Sequence, residues 1–230
     1  MLMMLSPRYA VLLLMLLLGP RANAETYLEP RNLMLDGTDQ YSEMLRTVFR
    51  DAYASDSIVQ VMIRSSTSAE KVIYVKTAQA GATLFVATAS ASIYWHYVQE
   101  NRDVIERQQG YKLQGFDGLP PQGDIRDVTV SLKSRNISHD LYLSLIALWQ
   151  RELTQAKQSG PHIILDGAEF EYSLHTSQAP PMAGSSSTGV DPRLDNLASI
   201  VGGLSLLVDG KRKEEAVFQN IADFNRMSTQ

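Results

Sequence analysis

The clearest pattern of apolar and polar positions lies between Ser138 and Leu174. Its first half repeats apolar residues at steps of three and four, which is typical of one face of a helix. The members of this stripe are Leu141, Leu145, Leu148, Trp149 and Leu153. Ser138 is a suitable N-cap, and Gly160-Pro161 is a typical helix stop. From Ala168 to Leu174 apolar and polar residues alternate, so we predict a helix followed by a half-buried strand.

The same patterns predict the other elements of the chain. Alternation predicts four more strands, at residues 58–63, 72–76, 84–87 and 128–133. The breaks between the first three are short and polar, which favours antiparallel hairpins. Helical stripes begin at Thr38 and near Pro192, with Asp191 as the second cap, and a short helix is expected after Lys211. This order predicts an α+β fold, with an antiparallel or mixed sheet of about five strands and helices packed mainly on one face.

Three segments do not follow one pattern. Residues 90–109 fit a helix after about residue 97, but the aromatic run from Ile93 to Tyr97 is equally good strand material, so both assignments stay open. Residues 110–124 carry four glycines and two adjacent prolines, which predicts a loop and a candidate internal boundary within one domain spanning 25–230. Residues 175–191 are rich in Ser, Pro and Gly, which predicts a mobile surface loop.

Residues 1–24 have the pattern of a secretory signal peptide. Arg8 precedes an apolar run from Ala10 to Leu18, and Ala22-Asn23-Ala24 matches a small-x-small cleavage site. An uncleaved anchor is the alternative, but nine apolar residues fall short of the about 20 that span a bilayer. We expect cleavage after Ala24, export to the periplasm or beyond, and no membrane association of the mature chain.

Composition excludes several classes of function. The chain has no cysteine, which excludes disulfides, a thiolate nucleophile and thiolate-bound metal centres. Its formal net charge is -4, and no basic cluster stands out, so nucleic acid is not an expected partner. The four histidines, His96, His139, His162 and His175, show no metal-ligand spacing. We therefore predict no metal and no cofactor.

One arrangement could support nucleophilic catalysis. Ser185, Ser186 and Ser187 lie in the segment 175–191, with His175 and Asp166 nearby in sequence. A Ser/His/Asp hydrolase can be drawn from these residues, but the glycines around the serines do not have the spacing of a nucleophile elbow. The simpler interpretation is a flexible connection, and we predict no catalytic residue.

Glu169 and Glu171 lie on the same face of the last predicted strand. Paired carboxylates can perform acid–base chemistry in glycosidases. Two glutamates on an alternating strand are more often part of a solvated face. We expect the solvated face.

The layout around the central helix resembles that of uncharacterised exported proteins of Gram-negative bacteria. In these proteins a helix with a stripe of leucine and tryptophan leads to a Leu-Asp-Gly strand with alternating aromatic residues, then to a Gly/Ser/Pro loop and a final helix. The matching positions are Leu145, Trp149, Leu165-Asp166-Gly167, Phe170, Tyr172, Ser173 and Ala183-Gly184. The resemblance covers about residues 126–208 and departs from the pattern at Ser185, where an aromatic residue is expected. It implies an exported location and this fold, and no catalytic residue.

Three hypotheses about function follow. The leading one is an exported, periplasmic, non-catalytic protein that acts by binding a protein or a ligand. The second is a periplasmic serine hydrolase that uses the segment 175–191. The third is an immunity or inhibitor protein for a neighbouring toxin.

Overall fold

The computed structural model describes residues 27–31, 39–65, 68–78, 81–109, 123–157, 167–176, 179–189 and 191–227. The strands are β1 (Glu29–Pro30), β2 (Ser57–Ser65), β3 (Lys71–Ala78), β4 (Gly81–Ala89), β5 (Val130–Ile137), β6 (Ala168–Thr176) and β7 (Ala179–Ser187). The helices are α1 (Gln40–Val48), α2 (Ile93–Gln109), α3 (His139–Thr154), α4 (Pro192–Val208) and α5 (Glu214–Met227). A short 3-10 helix, Ile125–Asp127, precedes β5. The predicted signal segment 1–24 lies outside the described residues.

The strands form one antiparallel sheet in the order β1-β7-β6-β2-β3-β4-β5. The predicted hairpins β2–β3 and β3–β4 are present, and Val61 lies between Ile73 on one side and Tyr172 on the other. The α+β class and the antiparallel sheet are therefore confirmed. Among the described residues the sheet has seven strands rather than about five, because β1 and β7 were not predicted.

The first face of the sheet is covered by α3, α4 and α5. Trp149 of α3 is almost fully buried there, and its indole lies edge-on to the ring of Tyr172, with centroids 5.6 Å apart. The Nε1–H of Trp149 donates to the backbone carbonyl of Gln60, 3.3 Å away. The N-cap at Ser138 is as predicted, because its hydroxyl accepts from the N–H of Leu141. Helix α3 and strand β6 are thus the structural centre of this face, although residues 158–166 between them lie outside the described part.

The second face of the sheet is covered in part by α1 and α2. Met44, Leu45 and Phe49 of this layer pack against Met62, Val72 and Tyr74. Met62, Val72 and Tyr74 alternate along their strands with Val61, Ile73 and Val75, which belong to the core on the first face of the sheet. Since the central strands are apolar on both sides, they bury both faces. Packing of the helices mainly on one face is therefore not confirmed.

The segment 175–191 is largely a strand rather than a mobile loop. Its residues 179–187 form β7 between β6 and the short β1. A shift of register opposite Leu174 and Thr176 accommodates Pro180-Pro181, which lack ladder donors. A Cβ on Gly184 would lie 3.1 Å from side-chain atoms of both Leu153 and Leu28. Small residues here thus permit close packing, and composition alone was misleading.

Residues 93–109 are a helix throughout, so the aromatic run forms its first turns rather than a strand end. The start is set by Glu70, whose carboxylate accepts from the backbone N–H groups of Ile93 and Tyr94, each at 2.7 Å. This cap is distant in sequence, which explains why local propensity left the assignment open. The candidate boundary loop 110–124 lies mostly outside the described residues. Among the described helices, none is long and apolar enough to cross a membrane.

Candidate functional site

The three candidate serines of β7 do not share one environment. Ser185 and Ser186 are both buried, but they lie on opposite faces of the sheet. The hydroxyl of Ser185 accepts from Nε of Arg31 at 2.9 Å. The hydroxyl of Ser186 donates to that of Tyr172 at 3.4 Å. Both hydroxyls thus belong to packing contacts rather than to an exposed nucleophile.

His175 lies far along the sheet from these serines. Ser185 is paired with Glu171 and Ser186 with Phe170, four and five residues before His175 in β6. At about 3.3 Å per residue, the nearer pair is separated by roughly 13 Å along the strands. Asp166 lies outside the described residues. The structure therefore does not bring the predicted serine and histidine together.

Glu169 and Glu171 do share a face, but the face is not simply solvated. Arg64 of β2 lies opposite them, and its Nη2 is 3.0 Å from a carboxylate oxygen of each. Arg31 is also 3.4 Å from Glu169. Glu171 is buried, and its burial raises the pKa of the carboxyl, while Arg64 acts in the opposite direction. The expectation of a solvated pair is wrong for Glu171.

This polar cluster consists of Arg31, Arg64, Glu169, Glu171 and Ser185. It joins β1, β2, β6 and β7, and its two cations balance its two carboxylates. Neither arginine was predicted to belong to a site. The alternation of β2 could have placed Arg64, because Gln60, Met62 and Arg64 are alternate residues of this strand and point to the same face of the sheet. The cluster is suited to holding strands together.

The histidines do not form a metal site in the described part of the chain. No group of three or more metal-ligating side chains occurs among those residues. His96 is buried on α2, and His139 is exposed at the start of α3, where its ring lies 6.1 Å from that of Tyr142. His162 lies outside the described residues.

Within the described part of the chain, β5 forms an edge of the sheet with no strand beyond it. This strand pairs with β4 over all eight of its residues and forms the last position in the sheet. Its six central residues, 131–136, are all exposed. Alternate backbone N–H and C=O groups of an edge strand point outward and can pair with another chain. We call this feature the β5 edge.

A cleft adjoins the β5 edge on the second face of the sheet. It has a volume of about 220 Å³ and lies between the end of α1 and strands β3 to β5. Its floor includes Tyr74, Ala87 and Val130, with Leu132 at the outer side. Leu132 is 48% exposed, whereas Tyr74 is buried and stacked on Phe85 at 5.0 Å. Burial raises the pKa of Tyr74 to about 12, so its hydroxyl stays neutral.

The other side of the β5 edge is basic. Nζ of Lys133 lies 2.7 Å from Asp209, and Lys211 lies 3.8 Å from the same carboxylate. The hydrogen bond from Lys133 holds the pKa of Asp209 below its ordinary value, and Lys71 contributes through its charge. Nη1 of Arg135 donates to the carbonyl of Leu207 at 2.8 Å. Two cations, on Lys133 and Lys211, thus contact the carboxylate of Asp209, and Arg135 lies on the same side of β5.

The β5 edge therefore offers backbone pairing groups between a side that carries Val130 and Leu132 at the cleft and a side that carries Lys133 and Arg135. Such an arrangement can accept an extended chain by strand addition. The sequence predicted the strand but not its outer position, because strand order depends on distant partners. Comparison of this chain with known protein families, curated proteins and solved structures finds no match.

Proposed function

We propose that this chain is an exported, non-catalytic protein that binds a protein partner along the β5 edge. The observation that carries the proposal is a regular eight-residue edge strand whose six central residues are exposed beside an open cleft. An exposed, regular edge is a template for strand addition, and folded proteins usually block such edges unless they use them.

The candidate catalytic residues support a binding role over a hydrolase. Ser185 and Ser186 are buried in structural contacts, and His175 is several residues away along the sheet. The paired glutamates are bridged by Arg64. In this proposal an immunity or inhibitor protein is one special case, and the genes flanking this one test it.

Export after cleavage at Ala24 is compatible with the folded domain. Leu28 is buried, its carbonyl accepts from the N–H of Lys157, and Arg31 contacts Ser185. All these residues follow the proposed cut, so cleavage preserves their contacts. N-terminal sequencing of protein from the periplasmic fraction is expected to begin at Glu25. Membrane-bound protein that retains residues 1–24 would contradict this part of the proposal.

Site-specific photocrosslinking tests the binding surface. A benzophenone amino acid at Leu132, in cells that export the protein, is expected to yield a discrete crosslinked product. The control places it at Leu143 on α3, which is equally exposed at 48% but lies on a helix. Crosslinking that is absent at Leu132, or identical at both positions, rejects the β5 edge as the binding surface.

A further inference from the structure

The two sides of the β5 edge differ in chemistry, and this difference constrains the partner. Alternation along β5 directs Val130 and Leu132 toward the cleft and Lys133 and Arg135 toward α4. A strand added outside β5 would continue this alternation, because its successive side chains point to opposite faces. Every second side chain of the partner would therefore lie on the apolar side and the others on the basic side.

Charge on the basic side selects acidic partners. Lys133 and Arg135 project from β5 on this side, and Lys133 and Lys211 share the carboxylate of Asp209. The chain as a whole is negative at -4, so this local excess of positive charge runs against its average. Opposite charges on paired strands stabilise the pairing, and like charges weaken it.

In the registers centred on residues 133 to 135, the same charges disfavour a second copy of this chain. Two β5 strands related by a two-fold axis would pair antiparallel, with equivalent surfaces in contact. Registers centred on residue 133, 134 or 135 place Lys133 opposite Lys133, Lys133 opposite Arg135, or Arg135 opposite Arg135. Each of these is a like-charge pair, which destabilises strand pairing. A heterologous peptide avoids this repulsion.

We infer that the β5 edge takes up an extended peptide segment in which acidic residues alternate with apolar ones. This inference rests on the binding role proposed above and adds the chemistry of the partner. The acidic side chains lie beside Lys133 and Arg135, and the apolar ones lie beside Leu132 at the mouth of the cleft. The backbone groups of the peptide pair with the outward groups of β5, so sheet formation supplies the affinity and the two sides supply the selectivity.

Fluorescence anisotropy with labelled synthetic peptides tests this chemistry. The probe is an alternating Asp-Val peptide with the eight-residue length of β5. The controls are a peptide of the same composition with Asp and Val in separate blocks, and an alternating Lys-Val peptide. The alternating acidic peptide is expected to bind at least about tenfold more tightly than either control, since it alone places all carboxylates on the basic side.

Variants assign the binding to the β5 edge. The double variant Lys133→Glu with Arg135→Glu is expected to weaken binding of the Asp-Val peptide about tenfold and to strengthen that of the Lys-Val peptide. The matched control, Arg107→Glu with Arg226→Glu, changes the net charge equally on α2 and α5 and should leave both affinities unchanged. If the first double variant does not fold, salt provides the second test, because affinity of the unmodified protein must fall as ionic strength rises.

Backbone methylation tests strand addition itself. In an extended peptide the backbone N–H groups of the Asp residues point to one edge and those of the Val residues to the other. N-methylation at only the Asp or only the Val positions therefore removes the hydrogen-bond donors of one edge. One of the two is expected to lose binding and the other to keep it. The inference is overturned if the alternating and block peptides bind equally well. It is also overturned if both methylated peptides keep their affinity. A position-specific crosslink at Leu132 would still support the binding role. Self-association that the neutral double variant Lys133→Ser with Arg135→Ser strengthens would instead identify a second copy as the occupant.

Discussion

The carboxylate of Glu70 accepts a hydrogen bond from the backbone N–H of Ile93, with an oxygen–nitrogen distance of 2.7 Å. Glu70 is 1% exposed and precedes β3, whereas Ile93 begins α2. A second N–H, that of Tyr94, and the hydroxyl of Tyr41 donate to the other carboxylate oxygen. A charged group at a helix N-terminus satisfies otherwise unpaired donors and interacts favourably with the helix dipole.

Replacing Glu70 with Ala is expected to lower the free energy of unfolding by about 1–3 kcal/mol, because buried N–H donors are left without an acceptor. Urea denaturation measures this change. Asp103→Ala, at an exposed position of the same helix, is the control and should change stability by less than about 0.5 kcal/mol. Equal effects of the two substitutions would contradict the capping role.

Glu171 is expected to make stability depend on pH. Burial raises the pKa of its carboxyl in the folded state, so the folded protein holds this proton more tightly than the unfolded chain does. The contribution of Glu171 is therefore most favourable at low pH and declines as pH rises from the ordinary carboxylate range through the raised pKa. Glu171→Gln cannot ionise and should lack this decline.

Urea denaturation across a pH series measures the difference. The stability of Glu171→Gln relative to the unmodified protein should improve as pH rises through that range. Ser173→Ala changes an uncharged residue on the same face of β6 and should keep the original pH profile. A constant difference between Glu171→Gln and the unmodified protein would show that Glu171 does not titrate abnormally.

The helices of the first face are joined by a buried charge. Glu152 of α3 is 2% exposed, and its two oxygens contact Arg151 at 2.9 Å and Arg193 of α4 at 2.5 Å. Glu152→Met should cost about 3–5 kcal/mol of stability, because the largely covered guanidinium of Arg193 then loses its buried carboxylate. Adding Arg193→Met should recover part of this loss. Thermal and urea unfolding of the single and double variants measure these changes. The expectation fails if the stability lost in the double variant equals the sum of the losses in the two single variants.

The serines of β7 provide a test of the hydrolase hypothesis. A fluorophosphonate probe is expected to label none of Ser185, Ser186 and Ser187, because no histidine lies beside Ser185 or Ser186 in the described part of the chain. Mass spectrometry of the treated protein measures labelling. Ser185→Ala should instead cost about 1 kcal/mol of stability through loss of the bond from Arg31. Stoichiometric labelling of any one of the three would favour the hydrolase.

The candidate site could be predicted only in part. Alternation identified β5 and placed Leu132 and Lys133 on opposite sides of it. It did not show that β5 ends the sheet, since that depends on β4 having β3 as its other neighbour. The polar cluster was also hidden, because Arg64 and Glu171 are 107 residues apart in sequence and meet only through pairing of β2 with β6.

The sequence by itself determined the local features of this protein. It specified α3 with its cap at Ser138, α4 with its cap at Asp191, the hairpins of β2 to β4, and the absence of cysteine chemistry. Those features follow from side-chain periodicity and from donors and acceptors within a few residues.

Only the tertiary structure decided strand order, the strand at 179–187, the use of both sheet faces and the cap at Glu70. Each of these depends on free energy gained between segments that are far apart in the chain. Parity along a strand shows which residues share a face, but not which element covers that face. For this reason Glu171 in β6 is buried whereas the central residues of β5 are exposed, although β5 and β6 show similar alternation of apolar and polar residues.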